Sequence, residues 1–125
     1  MNVLDSSVWL EIFAGTALGK KYLPLAENAG SLIVPVISLY EVFRKILRER
    51  DEHLALRIIA QMKRGTVVDL DLELSLNAAR LAQEYSLPMA DSIILAVAQK
   101  HKAILWTMDS DFHEIPGVQF ISKRK

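Results

Sequence analysis

Five short runs dense in aliphatic and β-branched residues recur along the chain, at Asn2 to Leu4, Ser31 to Val34, Thr66 to Val68, Ala103 to Trp106 and Val118 to Ile121. Each is nearly all apolar and has no polar face to turn to water, so each suits a strand covered on both sides. The segments between the first four have helical spacing. Ser6 or Ser7 can cap a helix burying Val8, Ile12 and Phe13, and a second helix is predicted over Ala17 to Ala29 with Pro24 as a kink or break. Ser38-Leu39-Tyr40-Glu41 reads as a capping box that opens a helix through Val42, Phe43, Ile46 and Leu47. After Asp51 come Leu54, Ile58, Ile59 and Met62 on one side of a helix, with Gly65 as its glycine stop. Asp71 caps a helix bearing Leu74, Ala78, Leu81 and Tyr85; Pro88 ends it, and Asp91 stands in the first turn of an apolar helix, Ile93 to Lys100. A strand followed by a helix pair, three times over and then closed by two strands, predicts an α/β fold. Its parallel sheet would lie between two helix layers, a three-layer α/β/α sandwich.

At 125 residues and 51% hydrophobic composition there is material for one core, and no repeat or linker divides the chain, so a single domain over residues 1–125 is expected. The same figures, with no cysteine, exclude a disordered tail and a disulfide scaffold. Asp5 and Glu11 with no basic residue ahead of them are the wrong charge order for a secretory signal. The longest uncharged run, Asn28 to Tyr40, is broken by Pro35 and too short to cross a bilayer. The expectation is a soluble cytoplasmic protein with no membrane partner. The 15 basic residues cancel the 15 acidic ones, which argues against a nucleic-acid partner unless the acids are gathered in one place.

Several acids fall where gathering is expected. In open parallel sheets ligands bind beyond the carboxyl ends of the strands. Asp5 follows the first strand directly, Glu41 lies in the first turn of the helix after the second, and Asp109 and Asp111 lie just past the fourth. Asp91 begins a helix whose end of the sheet topology leaves open. Each has a structural explanation as well: Glu41 as a capping-box member, Asp91 as a first-turn acid, Asp109 as a turn former. Asp5 is harder to explain so, because a charge abutting an apolar strand needs a partner or a metal. Clustered carboxylates raise one another's pKa and call for a hard cation, and oxygen ligands without His or Cys point to Mg²⁺ or Mn²⁺ over zinc.

Four segments carry a family resemblance. Leu4-Asp5-Ser6-Ser7-Val8-Trp9-Leu10, Ser38-Leu39-Tyr40-Glu41, Ala90-Asp91-Ser92-Ile93-Ile94-Leu95-Ala96 and Thr107-Met108-Asp109-Ser110-Asp111-Phe112 are similar, in order and at about the expected spacing, to the motifs of PIN-domain ribonucleases. The likeness is greatest to the VapC-type toxins of toxin–antitoxin pairs and runs from Asn2 to Ile121. It implies a Mg²⁺-dependent endoribonuclease, with Mn²⁺ able to substitute, and an acidic quartet of Asp5, Glu41, Asp91 and Asp109. It also implies that the Asp91 helix starts at the same sheet edge as the other acids. Asp111 matches a more variable position, as do Tyr40 and Met108. By the same resemblance Ser6 and Thr107 orient ligands or a phosphate, an antitoxin segment covers the site, and the toxin is a homodimer acting on RNA.

Two other functions compete. A receiver-like signalling domain shares the α/β order and offers Asp69 as an acceptor, but Thr107-Met108-Asp109 lacks the lysine such a domain needs after a later strand. A non-catalytic binding module would keep the fold without needing all four acids. Among weaker signals, Gly15 to Lys20 resembles a phosphate loop but follows a helix, and is read as a helix boundary. His53, His101 and His113 lack metal-ligand spacing and read as surface residues; Trp9 and Trp106 read as core. The basic run Arg44, Lys45, Arg48 and Arg50 is either a solvated helix face or a path for the RNA backbone.

Overall fold

The strands form where the apolar runs stand: β1 (Asn2–Leu4), β2 (Leu32–Pro35), β3 (Thr66–Val68), β4 (Ile104–Thr107) and β5 (Val118–Phe120). In the computed structural model, which describes residues 1–112 and 114–122, they make one sheet in the order β3-β2-β1-β4-β5, every pairing parallel. Six helices fill the first three intervals in pairs: α1 (Ser6–Ala14) and α2 (Ala17–Glu27), α3 (Val36–Glu49) and α4 (Glu52–Met62), α5 (Leu72–Tyr85) and α6 (Met89–Lys100).

Side-chain alternation along the strands separates two cores. Val3, Ile33 and Leu105 point into one, where they meet Leu74, Ala78 and Leu81 of α5 and Ile94 and Val97 of α6. Leu4, Leu32 and Val34 point into the other, against Val8 and Trp9 of α1, Val42 of α3, and Ile58 and Met62 of α4. That is the three-layer α/β/α arrangement, with β1, β2 and β4 apolar on both faces; the edge strand β3, expected to be covered on both sides, is exposed at Thr66 and Val67 because no strand lies beyond it. In α6 the seven residues Ser92 to Ala98 are all buried, so this helix is apolar all round where a surface helix carries only a stripe.

Several local expectations are corrected. The capping box does not form: α3 starts at Val36 with Pro35 at its N-cap, which puts Ser38 inside the first turn, fully buried and with its Oγ lacking a hydrogen-bond partner. Proline sets the start earlier because its φ of −62° already suits helix entry. Likewise α6 begins at Met89 behind Pro88, four residues ahead of the apolar run at Ile93. Gly65 is not a left-handed helix stop. It follows a close approach to β2, since a Cβ there would lie 2.9 Å from the Leu32 carbonyl oxygen. Pro24 is held inside α2 without ending it. Gly15 does act as a boundary, capping α1 at φ 69°, and Asp51 and Asp71 cap α4 and α5 through bonds of 2.8 Å from the Leu54 and Leu74 amides. His53 is exposed, but His101 is only half so, with a buried, unpartnered Nε2; His113 lies outside the described residues.

The strand order places the site. β1 is central, with β2 and β4 on either side, so the chain's direction of travel across the sheet reverses beside β1, where open parallel sheets leave a crevice at their carboxyl edge. Only His101 to Ala103 separate α6 from β4, so α6 must run back toward the amino edge to feed a parallel strand. Its first turn, with Asp91, therefore stands at the carboxyl edge.

Candidate metal centre

Asp5 is fixed by the ladder itself. Its amide donates to the Trp106 carbonyl at 2.9 Å, extending the β1–β4 pairing one residue beyond β1, and its own carbonyl accepts from the Val8 and Trp9 amides to start α1. The side chain is buried, 3% exposed, and performs no cap bond for α1. Instead Oδ2 accepts from Ser7 Oγ and Thr107 Oγ1, each at 2.9 Å. Both hydroxyls also accept, from the Met108 amide at 3.3 Å and the Asp109 amide at 3.0 Å respectively. A hydroxyl that donates to one residue and accepts from another fixes both, so the end of β1 and the turn after β4 are locked together through one carboxylate. That turn is tightened by Asp109 Oδ1, which accepts from the Asp111 amide at 2.9 Å.

Three carboxylates then converge. Asp91, Asp109 and Asp111 each bring one oxygen within 4.8 Å of the others, the first two half-buried and the third exposed. Asp5 and Glu41 stand outside that triplet but close enough for their charges to act on Asp91, whose carboxyl is pushed up to about 7 by burial first and then by Asp5, Asp109, Glu41 and Asp111. Burial also raises Asp5, against the pull of the Thr107 and Ser7 hydroxyls. Glu41 is raised by burial and by Asp5, while the Ser6 side chain draws it down. Glu41 Oε1 is buried and has no hydrogen-bond partner. With the capping box absent, Glu41 sits in the second turn of α3, and the structural explanation for an acid there falls away.

The structure thus brings all five sequence-predicted acids to one edge, with a difference of emphasis. Asp111, the variable position, belongs to the tight triplet; Asp5 is held behind it by hydroxyls. Thr107 orients Asp5, and Ser6 acts on Glu41. The sequence offers Ser7 as a possible helix cap, and nothing in its position beyond its closeness to Asp5 marks it as a bridge to β4. Among the described residues no Lys, Arg or His pairs with any of the five; the salt bridges run from Lys45 to Glu49 and from Lys100 to Asp71 and Glu73. Unneutralised, all-oxygen and partly desolvated, the donor set fits a hard divalent cation.

A parallel α/β protein with an acidic, metal-fitting pocket at the switch point of its sheet is the class that fold and site define. The chain belongs to the PIN domain family, whose model matches residues 3–118. No curated protein sequence matches it. Similar solved structures include a toxin–antitoxin complex from Klebsiella pneumoniae, at 26% identity over 95% of this chain and 96% of that one with a TM-score of 0.82. The VapC20 toxin of Mycobacterium tuberculosis, described as cleaving the sarcin–ricin loop, is similar at 18% identity over 90% and 92% with a TM-score of 0.74. PAE2754 from Pyrobaculum aerophilum is similar at 21% over 95% and 89%, with a TM-score of 0.70. The last two likenesses bear on the fold alone. Among the described residues no helix is long and apolar enough to cross a membrane.

Proposed function

We propose that this chain, as one domain over residues 1–125, is a metal-dependent endoribonuclease and the toxin of a toxin–antitoxin pair, acting in the cytoplasm. The observation that carries the reading is the convergence of Asp91, Asp109 and Asp111, backed by Asp5 and Glu41, with no cationic partner among the described residues. Asp91, Asp109 and Asp111 would hold Mg²⁺ or Mn²⁺. Bound there, the cation supplies Lewis-acid stabilisation of the scissile phosphate and lowers the pKa of water. Asp5, immobilised by Ser7 and Thr107, fixes the turn that bears Asp109 and would offer the cation a further oxygen. Glu41 takes the proton from the attacking water: its Oε1 is buried and unpartnered, and burial and the charge of Asp5 raise its carboxyl above the ordinary carboxylate range. In-line attack leaves a 5′ phosphate and a 3′ hydroxyl, and no protein nucleophile is needed.

The receiver-like alternative loses support. Asp69 is exposed beyond the edge strand β3 and is not among the acids that act on Asp91. An antitoxin partner is supported by the Klebsiella complex and by a groove of about 580 Å³ between α1, α3 and α4, with Leu10, Phe13, Ile46, Leu54 and Ile58 as its apolar bed. The partner would anchor in that groove and reach the acids with a further segment. A homodimer remains part of the proposal.

Purified protein should cut single-stranded RNA in Mg²⁺ or Mn²⁺. EDTA should stop it, and Asp5→Asn should slow it at least about 100-fold, the scale of losing one preorganised catalytic group. Cleavage that survives either change would overturn the assignment.

A further inference from the structure

The helix that carries Glu41 also carries a route away from the pocket. The basic run on α3 is divided by the fold: Lys45 pairs with Glu49 at 3.3 Å and lines the α1–α3–α4 groove together with Arg50. Arg44 and Arg48 are exposed, and neither makes a salt bridge among the described residues. Tyr40, Arg44 and Arg48 follow one another at intervals of four, so they lie along one side of α3. The row starts one residue from Glu41 and extends about 12 Å along the helix axis. At 61% exposure Tyr40 is the one exposed aromatic among the described residues; Trp9 is buried, and Trp106 is half-buried with its Nε1 bonded to Asn2. An open aromatic ring followed by free guanidinium groups is the pairing by which proteins hold single-stranded nucleic acid, bases stacking on the ring and phosphates meeting the cations.

Building on the ribonuclease reading, we propose that Tyr40, Arg44 and Arg48 form the track for single-stranded RNA where it leaves the acidic pocket. Tyr40 stacks on the base next to the scissile phosphate, and the two arginines bind successive phosphates beyond it. Tyr40 thus holds the substrate itself, through a ring that is open to solvent beside Glu41.

The test uses the full chain and a fluorescent single-stranded RNA, with steady-state cleavage and, in the Asp5→Asn background, binding by anisotropy. Tyr40→Ala should raise KM and Kd about 5- to 100-fold, the range of one base–aromatic stack, with kcat unchanged, and Tyr40→Phe should restore both. Arg44→Ala with Arg48→Ala should flatten the slope of log Kd against log salt by about 1.4, as expected for two lost phosphate contacts. Unchanged KM, Kd and salt slope in these variants overturn the track, and if their solution mass also falls the row is a contact between subunits. RNA bound through this row by a wild-type chain that never cuts would leave the track standing and defeat the hydrolase reading alone. A wild-type chain that neither binds nor cuts RNA defeats both.

Discussion

Thr107 shows how much of the site depends on one hydroxyl. It is fully buried, donates to Asp5 and accepts from the Asp109 amide, so Thr107→Val deprives a buried carboxylate of a donor and frees the turn bearing two of the triplet acids. Outer-shell losses of this kind lower metal affinity or activity about 10- to 100-fold, and Mn²⁺ titration calorimetry should show a drop in that range with the isosteric side chain folded in place. Asp91 sets the pH dependence. In the unfolded chain it loses its proton in the ordinary carboxylate range, whereas in the folded protein it keeps it until about pH 7. The folded state therefore binds more protons over that window, and metal-free stability should fall as pH rises toward 7 and level off above it, with the raised Asp5 and Glu41 acting in the same direction. A cation needs the deprotonated form, so Mn²⁺ affinity should weaken about tenfold per pH unit below 7 if one proton is displaced. Thermal unfolding in EDTA and Mn²⁺ titrations across pH 5 to 8 check both directions. The acids themselves were legible from their places after strands and their order in four motifs. The bridge through Ser7 was not, because its two partners, Asp5 and the Met108 amide, are brought together only by the β1–β4 pairing.

The two helices that bring Glu41 and Asp91 to the edge share a device: each opens behind a proline, Pro35 or Pro88, with no side-chain cap. Their N-terminal amides are thus left facing the carboxyl edge, where helix dipoles favour negative charge. Ser38 is the by-product on α3. Its Oγ is buried without a partner, so Ser38→Ala should stabilise the protein by about 1 kcal/mol in denaturant titrations. Gly19 on α2 has the opposite character, since a Cβ there would collide with the Glu11 carbonyl and come within 2.8 Å of Ile12 Cα. Gly19→Ala should destabilise by at least about 1–3 kcal/mol by the same measurement. Apolar periodicity revealed the helix pairs and their order, because it is set by burial on the sheet. Helix starts were less legible: Ser38 to Glu41 has the letters of a capping box, yet the proline three residues earlier had already begun the helix. The direction of α6 is open in the pattern of residues alone and is fixed by its short connection to β4.

Across the whole molecule, the charge balance that first argued against a nucleic-acid partner has a spatial explanation. Setting aside Asp5, Glu41, Asp91, Asp109 and Asp111 leaves 15 − 5 = 10 acidic residues against 15 basic ones, so a cation-filled pocket would sit within a mildly basic surround. The strand order puts that pocket beside β1, at the switch point, while the apolar groove opens between α1, α3 and α4 on one face. α3 takes part in both, carrying Glu41 to the pocket and Ile46 to the groove. An occupant of the groove is therefore connected to the acid cluster through one helix.

The central claim, that the converging carboxylates are a metal site, is tested most directly by the anomalous diffraction of crystals soaked in Mn²⁺. A manganese peak bounded by the Asp91, Asp109 and Asp111 carboxylates, with Asp5 still held by Ser7 and Thr107, is the expected result. A chain that takes up Mn²⁺ elsewhere, or leaves these three acids without a peak at millimolar Mn²⁺ above pH 7, would contradict it.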